Sequence, residues 1–449
     1  MRIGSNIAIR LQLAGVIAAC VAAASVQAGT TLTTLFSFNE DDGFQPATLV
    51  QTADGSLYGT TLYGGFPLSG GGHGTVFKLN SDGTFTNLVN RALRNPTWMF
   101  QAADGNFYGT EGDGHGNGGL FKMTPDGVVA DFGPVWSQPS SNGWGPAYLL
   151  QDSTGNFYGI AGYGGLRDEG GTVFEIDTNG LFSTLARFDY LVNGARPIQL
   201  LLAHDGNFYG VAWVGGIYSQ GTLFKMTPDG TLTALLSFTG ANGYYPACLL
   251  EGADGDLYGT TTASSLGGGT VFRATKEGSL VWSFVVNGIN GSTPCFLMQA
   301  GDGFLYGTTT SVGGNGNGTI FRITTNGDFS TLFAFTGTNG SSPFFLLESP
   351  DNCFYGTSFY GGMQNCGTVF RLSIPRAPVI QRPVPSGDSL QLTWTSVAGQ
   401  TYQLQYTSDL NSTNWTDLGS PVLATNGTMS ASDNVGTDPR RFYRVVLLP

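Results

Sequence analysis

Apolar and polar residues alternate along short segments of the chain, and the same order of segments returns at a fixed period. A Tyr-Gly pair marks each period, and successive pairs are separated by 48 to 51 residues. The pairs are Tyr58-Gly59, Tyr108-Gly109, Tyr158-Gly159, Tyr209-Gly210, Tyr258-Gly259, Tyr306-Gly307 and Tyr355-Gly356. Each pair follows a tight-turn sequence such as Asp54-Gly55 and precedes a Gly-rich loop and a strand such as residues 74–78, Gly-Thr-Val-Phe-Lys. Each repeat is therefore predicted to form four short β-strands.

The first of the four strands follows a proline in every repeat. These prolines are Pro46, Pro96, Pro146, Pro197, Pro246, Pro294 and Pro343. A single four-stranded sheet of this size cannot bury both of its faces, whereas radial stacking of seven such sheets covers them. The pattern predicts an all-β chain whose residues 29–375 form a seven-bladed β-propeller.

The two ends of the repeat array are complementary. The seventh repeat lacks the turn and the fourth strand that the other six carry, and the chain leaves the array after Arg371. Residues 31–38 form an alternating segment that precedes the first proline. We expect this segment to complete the seventh blade and to close the ring, because an unpaired sheet edge would otherwise remain.

Residues 54–61 (Asp-Gly-Ser-Leu-Tyr-Gly-Thr-Thr) and 74–79 (Gly-Thr-Val-Phe-Lys-Leu) resemble the repeat of the GloVer tandem-repeat family. The resemblance extends over residues 31–375, because several motifs recur in a fixed order. It implies an exported or surface-held bacterial protein with a C-terminal anchor that differs among members. The family has no established activity, so the resemblance implies no catalytic residues.

The N-terminus is typical of an export signal. Arg2 and Arg10 precede an apolar stretch, and small residues follow it near position 28, so residues 1–28 are predicted to be a signal peptide. The alternative is lipoprotein processing, in which a lipid would be attached to Cys20. Both alternatives predict a secreted or cell-surface location.

The composition changes after residue 375. Residues 376–388 are predicted to be a Pro-rich linker, and residues 389–449 resemble a fibronectin type III or immunoglobulin-like β-sandwich with Trp394 as its buried aromatic residue. Such a module would act as a spacer or would attach the protein to a glycan or an envelope component.

Charge excludes several classes of partner. Only 11% of the residues are charged, and 19 Lys and Arg stand against 31 Asp and Glu. Without Arg2 and Arg10 the mature chain has 17 basic and 31 acidic residues, a net charge of −14. Because there is no basic run, neither nucleic acid nor an anionic membrane is an expected partner. The mature chain has no apolar stretch long enough for a transmembrane helix, and we expect a monomer.

Antiparallel strands place the proline loops and the Gly-Gly loops at one face of the ring and both kinds of turn at the other. The proline loops repeat as Asn-Gly-x-x-Pro, for example at residues 242–246. Aromatic rings stack on the apolar faces of sugars, and short Asn and Ser side chains can bind their hydroxyls. The glycan-binding candidates are Trp98, Trp144, Tyr163, Trp213, Tyr244, Tyr245 and Tyr360.

Other chemistry has little support in the sequence. The recurring Asp residues precede Gly at predicted turns, where turn geometry alone accounts for them. No cofactor or metal is expected; Glu40, Asp41 and Asp42 are weak candidates for a cation site, and a solvated loop is the alternative. The three histidines, His73, His115 and His204, lack the spacing of a zinc site.

Four cysteines remain after removal of the predicted signal. Cys248 and Cys295 follow equivalent prolines, so they could approach each other, and buried free thiols are the alternative. Cys353 and Cys366 lie at opposite ends of one predicted hairpin and are not expected to pair.

The sequence thus favours an exported, non-catalytic binding or surface-adhesion protein that binds glycans through its loop face. One alternative is a hydrolase or lyase that acts on an extracellular polysaccharide, peptide or lactone at the mouth of the propeller channel. A purely structural surface component is a third possibility. A catalytic site should break the sevenfold regularity with polar residues in one or two blades. We find no such break in the sequence and assign no catalytic residue.

Overall fold

The structure is a computed structural model. It describes residues 7–11, 17–21, 29–65, 73–90, 93–112, 118–133, 142–165, 170–387, 389–410, 413–434 and 441–448. The chain divides into two compact units. The repeat unit comprises residues 33–347 and 355–370, and the C-terminal unit comprises residues 1–32, 348–354 and 371–449. No helix among the described residues has the length and apolar character needed to cross a membrane.

Within the described residues, the repeats form seven four-stranded antiparallel sheets. Sheet 1 contains Phe44–Gln51, Leu57–Tyr63, Thr75–Leu79 and Phe85–Asn90. Sheet 2 contains Trp98–Gln101, Phe107–Gly112, Gly118–Met123 and Val129–Asp131. Sheet 3 contains Trp144–Gln151, Phe157–Tyr163, Thr172–Ile176 and Phe182–Arg187. Sheet 4 contains Ala195–Leu202, Phe208–Val214, Thr222–Met226 and Leu232–Ser237.

The remaining sheets follow the same order. Sheet 5 contains Tyr244–Glu251, Leu257–Ala263, Gly269–Ala274 and Leu280–Val286. A short 3₁₀ turn, Gly288–Asn290, leads into sheet 6. That sheet contains Ser292–Gln299, Leu305–Ser311, Thr319–Ile323 and Phe329–Ala334. Sheet 7 contains Ser341–Glu348, Phe354–Tyr360, Thr368–Ser373 and, as its fourth strand, Thr31–Ser37.

The N-terminal strand therefore completes the last sheet, as the sequence predicts. The Phe38 amide just after it donates to the Gly367 carbonyl at 3.0 Å. Its aromatic side chains pack on sheet 1, where the Phe36 and Phe85 rings stack at 3.8 Å and Phe38 meets Phe77 edge to face. The strand thus pairs with sheet 7 through its backbone and with sheet 1 through its side chains.

Two repeat motifs fit together inside each sheet. The Tyr-Gly glycine lies beside the phenylalanine of the neighbouring third strand, and a Cβ on Gly259 would lie 2.5 Å from Phe272 Cζ. The phenylalanine rings fill the space that the missing side chains leave, and Phe272 is fully buried. The recurrence of both motifs is therefore explained by close packing.

A second contact repeats between consecutive sheets. In six of the seven repeats the glycine at the start of the third strand packs against the proline of the next repeat: a Cβ on Gly221 would lie 2.5 Å from Pro246 Cδ, and one on Gly269 would lie 2.5 Å from Pro294 Cδ. The last repeat meets the first in the same way, because a Cβ on Gly367 would lie 2.5 Å from Pro46 Cδ. The amide of Gln45 in the first repeat also donates to the Cys366 carbonyl at 3.1 Å.

The C-terminal unit has a separate core. One sheet contains Val384–Ser386, Ser389–Thr395 and Thr428–Asn434, and another contains Thr401–Thr407, Thr416–Asp417, Val422–Leu423 and Phe442–Leu448. Trp394 is 1% exposed in this core, which confirms that it is buried. Ile380 and Val384–Ser386, which the sequence analysis assigns to a linker, belong to the core and to the first sheet. The strands Ile7–Leu11 and Ile17–Val21 pair antiparallel within the predicted signal segment.

The turn of the last repeat also belongs to the C-terminal unit. This turn has Asn352 where the other repeats have Gly, and its φ is 59°. The Asn352 Nδ2 group donates to the carbonyls of Ser396 and Gly427 at 2.7 and 3.0 Å. Arg371 Nη2 donates to the Ala398 carbonyl at 3.0 Å. The departure from the repeat sequence thus coincides with a set of hydrogen bonds that Gly could not make.

Candidate functional site

Each described sheet has a loop end and a turn end. The loop end carries the proline loops and the Gly-Gly loops, since the start of each first strand pairs with the end of the second, as in Trp144 with Tyr163 and Tyr244 with Ala263. The turn end carries the Asp-Gly turns, because Glu251 at the other end of its strand pairs with Leu257. This arrangement within the sheets agrees with the prediction from strand alternation.

Five of the seven glycan-binding candidates lie together at the loop end of sheets 3 to 5. Trp144 stacks on Tyr163 with ring centres 4.3 Å apart and planes 9° apart. The Arg196 guanidinium lies 5.1 Å from the centre of Tyr163 and 6.0 Å from that of Trp213. The row continues from Trp213 to Tyr245 and from Tyr245 to Tyr244, with 4.9 Å between ring centres at both steps. We name these residues the aromatic arc: Trp144, Tyr163, Arg196, Trp213, Tyr245 and Tyr244.

The backbone presents the arc in an unusual conformation. Arg196 and Tyr245 each precede the proline of their repeat and have φ of 54° and 57°. Residues other than glycine rarely adopt this left-handed region. Backbone hydrogen bonds to the preceding repeat stabilise this conformation. The Arg196 amide donates to the Gly170 carbonyl at 3.0 Å, and the Tyr245 amide donates to the Gln220 carbonyl at 3.1 Å. The same conformation recurs before Pro46, Pro294 and Pro343, so it belongs to the repeat and not to one site.

Two candidates lie apart from the arc. Tyr360 is 40% exposed at the end of a strand in sheet 7, and its hydroxyl accepts a hydrogen bond from Gln45 Nε2 at 2.6 Å. Trp98 comes after its proline, on the first strand of sheet 2. There it stacks on Tyr148 at 4.4 Å, and its indole N–H donates to the Leu149 carbonyl at 2.9 Å.

The asparagines of the Asn-Gly-x-x-Pro loops hold the loops together. The Asn242 side-chain oxygen accepts the Thr239 amide at 2.8 Å, and Asn193 and Asn339 accept equivalent amides. The buried Thr270 hydroxyl donates to the Asn242 carbonyl at 3.1 Å. These asparagines were expected to bind sugar hydroxyls, but their oxygens serve the fold.

The acidic loop at residues 40–42 is arranged around Asn39. Its side-chain oxygen accepts the amides of Asp41 and Asp42, and its Nδ2 donates to the Asp42 carboxylate at 2.6 Å. Burial and the neighbouring Asp41 raise the pKa of Asp42, although the hydrogen bond from the loop backbone lowers it. The described residues contain no group of three or more His, Cys, Asp or Glu side chains placed to hold a metal ion.

Cysteines and histidines are dispersed. All four cysteines that the structure describes with their side chains, Cys248, Cys295, Cys353 and Cys366, are free thiols. His115 lies outside the described residues, and the side chain of Cys20 is likewise not described. His204 Nδ1 lies 2.8 Å from the Glu251 carboxylate.

The first strands of all seven sheets line a cavity of about 810 Å³, which we name the first-strand cavity. In six of the seven sheets both residues after the proline contribute to its wall, and in sheet 1 only Thr48 does; the lining includes Trp98, Tyr148, Cys248, Phe296 and Phe345. Successive residues of a regular strand point to opposite faces, but a bulge allows two neighbouring residues to line the same cavity. The register shift between Pro246 and Cys248 shows such a bulge. The cavity extends to the turn end of sheets 4 to 6, where Leu202, His204, Glu251 and Gln299 line it.

A break in the sevenfold pattern lies at this turn end and was not predicted from the sequence. Four repeats have Gln at the last position of the first strand, and Gln151 and Gln299 accept the amides of Ala103 and Ala253 in the preceding repeats. Sheet 5 has Glu251 there, which accepts the His204 amide at 2.9 Å and the Lys276 ammonium at 2.5 Å. Sheet 7 also has a Glu at this position, Glu348, and sheet 4 has Leu202. The signal in the sequence was Glu in place of Gln, which only alignment of the repeats at this position reveals.

The charged groups around Glu251 are arranged as ion pairs. Burial raises the pKa of Glu251, but hydrogen bonds from Lys276 and His204 outweigh it and leave that pKa below its usual value. The pKa of Asp205 is also lowered, because hydrogen bonds from Asn207 and Tyr209 outweigh burial. Acid–base catalysis needs two groups whose pKa values are pushed apart. Here both carboxylates are held anionic, so the cluster is suited to binding adjacent repeats together.

The repeats match a family model. The Gloeobacter/Verrucomicrobia repeat model matches residues 92–265 and 145–370, and these matches together span more than half of the chain. The chain belongs to the Gloeobacter/Verrucomicrobia repeat family. This confirms the family that the repeat motifs resemble, over residues 92–370. None of the curated proteins matches this repeat protein significantly.

Two solved structures of low sequence identity, PorZ and puromycin hydrolase, share the fold of this repeat protein. PorZ, a bacterial surface component of the type-IX secretion system of Porphyromonas gingivalis, is 15% identical with a TM-score of 0.52, covering 97% of this chain and 61% of PorZ. Puromycin hydrolase is 13% identical with a TM-score of 0.52, covering 80% of this chain and 60% of that enzyme. A gluconolactonase of Xanthomonas campestris is 14% identical with a TM-score of 0.43, covering 77% and 90%. The chain thus spans about 60% of the first two proteins.

Proposed function

We propose that this chain is an exported carbohydrate-binding protein built on a closed seven-bladed propeller. Three observations support the ring: four strands per repeat, the N-terminal strand in sheet 7, and the contact of Gly367 with Pro46 that matches those between consecutive repeats. The charged N-terminus with its apolar stretch supports export. The C-terminal unit, with its two sheets around Trp394, is proposed to be a small β-sandwich that spaces or attaches the protein.

The aromatic arc is the single observation that carries the binding function. Its rings are partly exposed and follow one another across three neighbouring sheets at the loop end. Sugar rings have apolar C–H faces that stack on aromatic side chains, and a row of rings suits successive units of a polysaccharide. The Trp144 indole N–H has no hydrogen-bond partner among the described residues, although it is buried beside the row. A ligand oxygen that reached it would satisfy this donor.

The test is retention of polysaccharides by the mature protein, followed by titration of any glycan that is retained. Trp213 lies between Arg196 and Tyr245, so the substitution Trp213→Ala removes the centre of the arc. We expect its dissociation constant to rise about tenfold, because a tenfold change corresponds to about 1.4 kcal/mol and one aromatic stack contributes up to about 1.5 kcal/mol.

Trp415 offers a matched control. It also stacks with an arginine, since the Arg444 guanidinium lies 4.4 Å from its ring, but it belongs to the C-terminal unit. Trp415→Ala should leave the affinity of the arc unchanged. If no polysaccharide or glycan array retains the protein, or if both substitutions weaken binding equally, the arc is not the binding site.

A further inference from the structure

The first-strand cavity is a candidate site of a different chemical character. Its volume of about 810 Å³ is within the range of pockets that hold small molecules, roughly 300–1,000 Å³. It reaches the surface at the turn end, where Leu202 is 39% exposed beside it. The aromatic arc lies at the loop end, so the two sites are separate.

One wall of the cavity is a connected set of aromatic rings. Tyr148 stacks on Trp98 with ring centres 4.4 Å apart, and Trp98 meets Phe345 edge to face at 6.4 Å. Phe296 continues the set at 4.7 Å from Phe345. The rings come from sheets 2, 3, 6 and 7, so no single repeat supplies this wall.

The rest of the lining is largely aliphatic or sulfur-containing. It includes Ile198, Leu250, Met298, Cys248 and Cys295. Such side chains are polarizable and adapt to the shape of an apolar guest.

The polar groups of the wall are bound to the protein itself. The Gln199 side chain donates to the Leu249 carbonyl at 3.0 Å and accepts the Leu249 amide at 2.7 Å. The Trp98 indole N–H is bound to Leu149, and the Thr48 hydroxyl lies 3.1 Å from that of Thr60. Burial raises the pKa of Cys248 to about 11, that of Cys295 to about 12 and that of Tyr148 well above its usual value. The wall between the two ends therefore carries no charge at neutral pH.

We propose that the first-strand cavity binds an uncharged, predominantly apolar small molecule with a flat ring system. Stacking against Trp98, Tyr148 and Phe345 would supply the contact for the ring, and burial of apolar area would supply the affinity. A charged ligand would lose its hydration without gaining a hydrogen-bond partner in the wall. Any polar substituent of the ligand lies at the turn end, near His204 and Glu251.

The probe for the test is N-phenyl-1-naphthylamine, a neutral aromatic fluorophore whose emission rises in apolar surroundings. Titration into the full-length protein should give a saturable increase with one probe per chain. Trp213→Ala, in the aromatic arc, is the control that leaves the cavity intact and should bind the probe with unchanged affinity. Absence of a saturable increase would overturn the proposal.

A cavity-filling substitution locates the probe. Ala247 lines the cavity on the first strand of sheet 5, and Ala247→Trp should raise the dissociation constant of the probe at least tenfold. Near-ultraviolet circular dichroism and the unfolding midpoint show whether the variant is folded. Equal affinity in a folded Ala247→Trp protein contradicts the proposal.

Thiol protection tests the wild-type protein if the variant fails to fold. Cys295 lines the cavity, whereas Cys366 lies at the loop end of sheet 7 and is not part of the wall. Saturating probe should slow alkylation of Cys295 by N-ethylmaleimide at least tenfold and leave the rate at Cys366 unchanged, as measured by peptide mass spectrometry. Alkylation of Cys295 at the same rate with and without probe would contradict the proposal.

Discussion

The glycine of each Tyr-Gly pair occupies a site where no side chain fits. A Cβ on Gly259 would lie 2.5 Å from both the Cys248 carbonyl oxygen and Phe272 Cζ. The tyrosine of the same pair binds the turn, since the Tyr258 hydroxyl donates to the Asp254 carboxylate at 2.7 Å. The residues that mark the repeat are thus bound to one another, which explains why turn, Tyr-Gly and Phe recur together.

The substitution Gly259→Ala should destabilise the protein by about 1–3 kcal/mol, because the added methyl overpacks a close contact between strands. The reference is Gly314→Ala, where the built Cβ has no atom within 4 Å and no positive φ is involved. That change should stay within about 0.5 kcal/mol. Urea unfolding of both variants measures the difference. Equal midpoints would show that the added methyl at position 259 is accommodated without loss of stability.

Glu251 gives the protein a specific pH dependence. Its folded pKa is lowered, so the stability it contributes is present above the unfolded value of about 4.3 and is lost as pH falls through the folded value. Glu251→Gln should cost about 1 kcal/mol at pH 7, because the charged contact with Lys276 is lost. This difference should shrink toward zero between about pH 5 and the acid limit. Unfolding midpoints that differ equally at pH 7 and pH 3 would exclude the charge as the cause.

At the scale of strands, the sequence could predict the repeat because its period, turns and alternation are all local signals. The four strands of each repeat, the N-terminal strand of sheet 7 and the burial of Trp394 follow from such signals. The position of Trp98 does not. Bulges between the proline and the second residue after it, as between Pro146 and Tyr148, shift the register, so alternation no longer tells which side chain faces inward.

The candidate site was predicted only in part, for a related reason. The sequence places Trp144, Tyr163, Trp213, Tyr244 and Tyr245 at one end of their sheets, but it cannot show that Arg196 lies between two of the rings. That contact depends on a left-handed residue before a proline, which sequence preferences disfavour. Nor can the sequence show that the Asn242 side-chain oxygen accepts the Thr239 amide, because that hydrogen bond depends on the loop conformation.

Deletion of residues 29–38 tests the element that pairs the two ends of the repeat array. The deletion exposes an edge of sheet 7 and removes Phe36 and Phe38 from the packing of sheet 1. We expect a loss of more than about 3 kcal/mol, since the buried Phe38 alone contributes on that order. Phe38→Ala alone should cost about 3 kcal/mol, whereas Thr34→Ala, at an exposed position of the strand, should be nearly neutral. A melting temperature unchanged by the deletion would refute the closure of the ring.

At the scale of the whole molecule, the C-terminal unit includes part of the last repeat. The turn at Asp351 and Asn352 lacks the glycine that the turns of the other repeats have, and the Asn352 side chain is bound to the carbonyls of Ser396 and Gly427. A linker that merely tethered an independent module would leave no reason for this departure. We therefore expect the effect of a substitution at Asn352 on stability to depend on whether Ser396 and Gly427 are present.

The substitution Asn352→Gly should have opposite effects on stability in the full-length protein and in a shortened chain. In the full-length protein it removes the hydrogen bonds to the carbonyls of Ser396 and Gly427, and it should destabilise the turn by about 1 kcal/mol. In a chain that ends at Pro375 those partners are absent, and glycine relieves the left-handed φ of 59°, so the same change should stabilise by roughly 0.5 kcal/mol. Hydrogen exchange at residues 349–356 in the four proteins measures both effects. The same sign in both chain lengths would mean that the Asn352 side chain contributes nothing across this contact and that the turn sequence has another origin.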